Sequence, residues 1–380
     1  MRFDRDEYET RLAHLRGAMA RRRLDGMLLF APESHYWATG YDTFGFCFFQ
    51  VMVVTDRDLV LLTRSADLRQ ARQTSIVEDV RVWRDGESVD PTETLPRLLA
   101  ELGLEGGRLG VEFDTHGLTA GNGRRLEARL AGVAVLEDAT DLCAGLRLVK
   151  SEAEIACVRA AAEHADAAFE AALPVIRPGA SEGEILAAMQ GEVFRRGGDY
   201  AGNEFVIGSG ERALLCRYAS GRRTLAERDQ LTLEWAGAEA RYHSALMRTV
   251  VIGEPRPEHL SMHAAARDAL LACEAAVKPG RPMGDVFSAH ARTLDAAGYG
   301  HARLNACGYS LGAKYTPCWM DAAMFYRGAA TEMTPGMVFF IHMILMDSDS
   351  GAAMTLGRTS LVTETGAEPL SRLPLDLPLV

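Results

Sequence analysis

One spacing constrains this chain more than any other. A helical segment, the turn Arg177-Pro178-Gly179, and a second helix entered through Gly183-Glu184-Ile185 and closed at Gly197 recur as helix, Lys278-Pro279-Gly280, Gly284-Asp285-Val286 and Gly298, at a constant offset of 101 positions. That period is far longer than a solenoid repeat, so the pattern predicts two copies of one ααβ unit. Each copy carries two amphipathic helices followed by apolar strand runs, at residues 203–208, 230–236 and 242–251 after the first and 304–312, 337–346 and 353–362 after the second. Pairs of helices on one face of a curved, mostly antiparallel sheet make an α+β domain with a pseudo-twofold axis. A cleft lined by strands of both copies is the natural place for a site.

The residues before the repeat follow a different rhythm. An amphipathic helix ends near Arg23, strand runs follow at 26–30, 48–54 and 59–63, and a helix over 92–102 feeds a strand at 108–112. Short apolar runs separated by helices predict a smaller α/β domain. At 380 residues two domains are the expected number. The division falls at LRLVKSEAEI, giving domains 1–147 and 148–380, and Ser151 with Glu154 three residues on marks the start of the next helix by a capping box.

Composition removes several classes of function. With 48% apolar and 24% charged residues the chain is an ordinary globular mixture. A formal net charge of −11 argues against nucleic acid or an anionic membrane surface as partner. No apolar run is long enough to span a bilayer, and the charged N-terminal stretch lacks a secretory h-region, so a cytoplasmic location is expected. The seven cysteines, never spaced C-x-x-C, are expected to be reduced thiols rather than a disulfide framework or zinc cluster.

Candidate chemistry lies on the repeat strands. Glu204 in NEFVIG and Glu234 in LTLEWAG are carboxylates in apolar runs, where burial is costly unless the group is paired or functional. Tyr242 and His243 follow on the next strand, and alternation aims them to opposite faces. His342 interrupts MVFFIHMILM, and Arg217 in ALLCR is suited to clamping a substrate carboxylate. Asp347-x-Asp349 reads as a solvated turn. No G-x-G-x-x-G, P-loop, H-E-x-x-H or G-x-S-x-G is present. In the first domain, Phe46 and Phe48 of the aromatic segment 35–50 are expected in the core, whereas Tyr41 and Phe44, beside Gly40 and Gly45, are expected to line a pocket.

The segments GSGERALLCRY, LTLEWAG, RYHSALMRT, ACGYSLG, PGMVFFIHM and SLVTETG resemble the creatinase, prolidase and aminopeptidase P superfamily over nearly the whole chain, closest to its ectoine hydrolase-like and Xaa-Pro-peptidase-like bacterial members. The resemblance implies the pita-bread fold behind a creatinase-type N-terminal domain. It also implies a metal site that this sequence departs from. Of the family's two aspartates spaced eleven apart, Glu234 holds the first position and Ala245 the second; Tyr309 stands for the H-G-x-G histidine, and His342 and Gly357 for the two late glutamates. A dinuclear centre needs bridging carboxylates, so no metal cofactor is expected. Creatine is a poor substrate guess, because Arg217 and Met247 replace creatinase's histidine and glutamate.

The leading reading is therefore a metal-independent hydrolase of a C–N bond in a small amino-acid-like molecule (amide, amidine or cyclic amidine). In it Glu234 is the acid or base, His342 or His243 its proton partner, Tyr309 the donor to a developing oxyanion, and Arg217, Tyr41, Phe44, Glu204 and Tyr242 contact substrate. An Xaa-Pro metallopeptidase, and a non-hydrolytic enzyme or binding scaffold on the same fold, are the alternatives. The aromatic-rich segment 35–50 exceeds what one strand can bury, so a homodimer is expected in which the N-terminal domain reaches over the partner's cleft. Light scattering at micromolar concentration is expected to return twice the chain's 41.4 kDa, and a monomer mass would refute the arrangement.

Overall fold

In the computed structural model, which describes residues 2–218 and 221–380, the chain divides into two units, Met1–Arg147 and Leu148–Val380. The first is built on a mixed sheet of β1 (Gly26–Leu29), β2 (Val51–Val54), β3 (Leu59–Arg64), β4 (Asp79–Trp83), β5 (Arg108–Val111) and β6 (Val135–Asp138), in the order β4-β3-β2-β1-β5-β6. Every residue of β1 and β2 is buried, as central strands covered on both faces must be.

The aromatic segment departs from the sequence reading, because its first part is helical. Pro32 opens a helix at Pro32–Thr39, and Gly40, with φ 83°, closes it in the left-handed region that favours glycine. Tyr41 is consequently a core residue: its hydroxyl lies 3.3 Å from Gln50 Oε1 and 3.4 Å from Thr63 Oγ1, and burial pushes its phenol up to about 12. It has no access to a ligand, so the expected pocket role is corrected. Phe44 is 78% exposed. Phe48, expected inside, is 42% exposed beneath the Arg64 guanidinium, and Phe49 takes the core position.

The second unit contains one sheet of β7 (Val206–Ser209), β8 (Asp229–Glu239), β9 (Tyr242–Ile252), β10 (Ala306–Ser310), β11 (Met324–Tyr326), β12 (Val338–Asp347), β13 (Ala352–Thr363) and β14 (Gly366–Pro369). Its order is β11-β10-β12-β13-β9-β8-β7, with β14 beside β13. The two copies therefore meet at β13 and β9 and run outward in the same sequence, which is the pseudo-twofold arrangement. Capping boxes at Ser151/Glu154 and Ser181/Glu184 start the helices Glu152–Ala172 and Glu182–Arg195, and Pro257–Ala276 and Gly284–Ala296 are their counterparts. Among the described residues no helix is long and apolar enough to cross a membrane.

Alternation decides which strand residues meet the helices. Trp235 stacks on Phe169, with ring centroids 5.2 Å apart, and its indole N–H donates to Ala165 O at 2.8 Å. Phe339, Ile341 and Met343 of β12 join the core with Met262, Ala266 and Leu270 of the helix Pro257–Ala276. Glu234 and His342 consequently face the other side of the sheet.

Close contact between helix and sheet depends on Gly237. A Cβ there would sit 2.0 Å from Ala161 O and 2.6 Å from Ala165 N. Gly237→Ala must push the helix Glu152–Ala172 off β8, and a loss of about 1–3 kcal/mol is expected. A lower urea midpoint with an unchanged m-value is the expected signature, and an unchanged midpoint would show that the helix yields freely.

Candidate active site

Strand pairing lines up one row of residues across the site face. Glu234 pairs with Met247, Met247 with Gly357, and Gly357 with His342. Glu234 on β8 and His342 on β12 are thus pseudo-symmetric equivalents. Ala245 and Thr359 occupy the neighbouring row, joined by Ala245 N donating to Thr359 Oγ1 and Thr359 Oγ1 donating to Ala245 O, both at 2.9 Å.

Tyr309 reaches this row from β10. In the β10–β11 pairing the register shifts between Ala306 and Tyr309, and Gly308 inside the shift has φ 151°, where a Cβ would lie 2.2 Å from Phe340 O. The irregularity lets Cys307 join the helix-side core while Tyr309 faces the site. The Tyr309 hydroxyl donates to Glu234 Oε1 at 3.1 Å and accepts from Trp319 Nε1 at 2.9 Å. That bond joins strands four places apart in the sheet order, so the sheet is curved strongly enough to face its own flank.

Burial sets the electrostatics. It raises the Glu234 carboxyl to about 7, against opposing pulls from the Tyr309 hydrogen bond and the Arg217 charge. It lowers His342 to about 3, with His290 and Arg217 adding repulsion. His342 is therefore a neutral imidazole, with its buried Nδ1 lacking a hydrogen-bond partner among the described residues. This corrects its expected role as proton partner: a group this hard to charge exchanges no proton with Glu234 near neutrality. Tyr309 is held well above its ordinary value, first by burial and then by the Glu234 charge, and stays protonated. Because that proton is engaged by Glu234, the phenol orients the carboxyl, and the expected oxyanion role is corrected.

Other candidates separate from the cluster. His243 shares the site face but is locked, accepting from Gly202 N at 2.9 Å through Nε2 and lying 3.2 Å from Gly312 O through Nδ1. Both nitrogens are used by backbone and burial lowers the ring to about 4, so His243 fastens loops and moves no proton. Tyr242 points to the helices, donating to Glu154 Oε1 at 2.6 Å, and cannot meet a substrate beside Glu234. Glu204 precedes β7 instead of lying in a strand; it is exposed and borders a cavity of about 250 Å³ with Phe194, Tyr200, Phe205 and Ala236. Arg217 is exposed, acts electrostatically on both Glu234 and His342, and forms no ion pair with a described residue. Asp347 accepts from Asp349 N and Ser350 Oγ as a turn cap. Trp319 escaped the sequence reading altogether, since its position beside Tyr309 depends on a loop packed from a distance.

The sequence profile of metallopeptidase family M24 matches residues 156–364, and that of the creatinase/prolidase N-terminal domain matches residues 11–149. The chain belongs to family M24. It is 28% identical over 397 residues to the ectoine hydrolase of Halomonas elongata, covering 99% of this chain and 98% of that protein. It is 24% identical over 237 residues to the Xaa-Pro dipeptidase of Pyrococcus furiosus, covering 62% and 67%. The prolidase structure from Thermococcus sibiricus superposes with a TM-score of 0.89 at 19% identity, covering 98% and 99%. These likenesses agree with the pita-bread architecture behind a creatinase-type domain.

The M24 name implies metal, and the donor set at the corresponding positions does not fit a dinuclear centre. Glu234 is a single carboxylate with one oxygen taken by Tyr309, His342 is a single imidazole, and Ala245 and Gly357 supply no donor. Among the described residues no group of three or more His, Cys, Asp and Glu side chains is arranged to hold an ion.

A raised carboxyl has a stability signature. The folded chain holds the Glu234 proton more tightly than the unfolded chain, so this contribution is full below the unfolded value near 4.5 and is lost as pH rises through about 7, an effect of up to about 3 kcal/mol. The Tm of Glu234→Gln is expected to gain on that of the native protein between pH 5 and pH 8. A pH-independent gap would place Glu234 at its ordinary value.

Proposed function

We propose that this M24 protein hydrolyses a C–N bond in a small carboxylate-bearing substrate without a bound metal. The observation that carries the reading is the buried Glu234–Tyr309 pair, whose carboxyl titrates near neutrality and so serves as both base and acid. Glu234 as carboxylate takes a proton from the attacking water. The hydroxide oxygen bonds to the carbon of the C–N group, and Glu234 returns the proton to the leaving nitrogen as that bond breaks. His342, a neutral imidazole in the same row of the sheet face as Glu234, is the hydrogen-bond group assigned to charge developing on the substrate. Arg217 binds the substrate carboxylate, being an exposed guanidinium close enough to act electrostatically on both Glu234 and His342.

The likeness to ectoine hydrolase supports a cyclic amidine bearing a carboxylate as the first substrate to assay. Removal of general acid–base assistance typically costs about 10²–10⁴ in rate, so Glu234→Gln is expected to lower kcat at least about a hundredfold with the fold retained. Chelator treatment is expected to leave turnover unchanged. Turnover of an Xaa-Pro dipeptide that appears only with added divalent metal would favour the metallopeptidase reading. Near-native turnover by Glu234→Gln would move the chemistry elsewhere.

A further inference from the structure

We infer that Trp319 is a positioning residue: by donating to the Tyr309 hydroxyl it directs the phenolic proton at Glu234 Oε1, leaving Oε2 as the oxygen that carries and releases the proton in catalysis. This rests on Glu234 being the acid–base group of the reading above, but the arrangement is testable without turnover.

The argument is one of hydrogen-bond inventory. An indole N–H donates and never accepts, whereas a phenol donates one proton and accepts others. With Trp319 Nε1 at 2.9 Å from the Tyr309 oxygen, the phenolic proton cannot point toward the indole. The acceptor within reach is Glu234 Oε1 at 3.1 Å. Oε1 therefore accepts whether the carboxyl is charged or neutral, and a proton arriving on Glu234 goes to Oε2. Donation by Trp319 also polarises the Tyr309 O–H bond, which strengthens its bond to the carboxylate.

The indole is built into place for this. Trp319 is fully buried, its backbone N–H donates to Asn203 Oδ1 at 3.2 Å, and a Cβ on the adjoining Gly202 would fall 2.9 Å from Trp319 N. Gly202 is in turn held by the His243 ring, whose centroid is 6.5 Å from that of Trp319. His243 thus supports the relay from behind. The other titratable and charged groups acting on this pair are Arg217 and Cys216 near Glu234 and Cys318 near Tyr309, with the His342 ring 5.7 Å from that of Tyr309. Among the described residues none of these groups hydrogen-bonds to the Tyr309 or Glu234 oxygens, so the order of the phenol is set by Trp319.

The test is a pH titration of the Glu234 carboxyl by infrared difference spectroscopy, its band identified by loss in Glu234→Gln. Trp319→Phe removes the donor, lets the phenol turn to accept from a protonated carboxyl, and is expected to shift the Glu234 titration upward, with Tyr309→Phe shifting it further. Replacement of Trp319 by 3-benzothienylalanine keeps the ring shape and lacks the N–H, so it must reproduce the Phe result even where Trp319→Phe fails to fold. A titration unmoved by the benzothienyl residue while Tyr309→Phe moves it would overturn the inference and leave Trp319 as packing only. A titration that shifts as expected in a protein that hydrolyses none of the C–N substrates would retain the relay and sink the hydrolase reading instead.

Discussion

The seam between β9 and β13 is the constraint on which the site depends. The two copies of the repeat are joined there by only three paired positions, Leu356 with Arg248, Gly357 with Met247 and Arg358 with Leu246. Side chains complete what the short ladder leaves open. Thr359 exchanges bonds with the Ala245 backbone, Thr355 N donates to Thr249 Oγ1 at 2.7 Å, and buried Arg248 donates to both Met247 O and Gly357 O. Burial lowers the Arg248 guanidinium to about 10, a cost offset by its bonds to carbonyls on both sides of the seam. A short join of this kind lets the sheet fold over itself, and the curvature brings Tyr309 from one flank to Glu234 on the other.

The electrostatic character of the site follows from where that curvature puts its groups. A carboxyl enclosed by strands, with one phenol and one distant guanidinium for company, loses more from desolvation than it recovers, so it sits near neutrality. The same enclosure empties His342 of charge. On the proposed reading, the family's framework for holding cations has become a nearly neutral pocket on which the Arg217 charge acts. Such a pocket suits a substrate anchored by its own carboxylate, and it suits acid–base chemistry by a residue able to exist in both states at working pH.

Much of this was legible before any coordinates. The offset between Arg177-Pro178-Gly179 and Lys278-Pro279-Gly280 reports the duplication because each turn places a glycine in the left-handed region, Gly179 at φ 82° and Gly280 at φ 73°, ahead of the second helix of its copy. The apolar runs around Glu234 and His342 likewise mark buried strands, and their partnership across the pseudo-twofold is a consequence of the repeat. What stayed hidden depends on orientation and on distant packing. Tyr242 and His243 were correctly placed on opposite faces, yet nothing local reveals that one meets Glu154 and the other is tied at both nitrogens by Gly202 and Gly312. Tyr41 looked like a pocket residue because two glycines lie nearby, and a helix at Pro32–Thr39 turned it inward instead. Glu204 sits in an apolar string, but the strand begins only at Val206.

The pseudo-symmetry explains why the two equivalent residues diverged in role. Glu234 and His342 occupy matching places, but of the two only Glu234 receives a side-chain hydrogen bond among the described residues, because the phenol reaching over from β10 ends at its oxygen and the first copy has no described counterpart reaching His342. Tyr309 pairs with Phe340, two residues before His342, and the equivalent position in that copy, paired with Thr232 two residues before Glu234, is Gly208, which has no side chain to donate or accept. The carboxyl is thus fixed in orientation and tuned by a neighbour, while the imidazole's buried Nδ1 has no such partner among the described residues. A fixed group can transfer a proton along one direction. The asymmetry needed for a hydrolytic site therefore comes from one aromatic residue on one side of a duplicated frame.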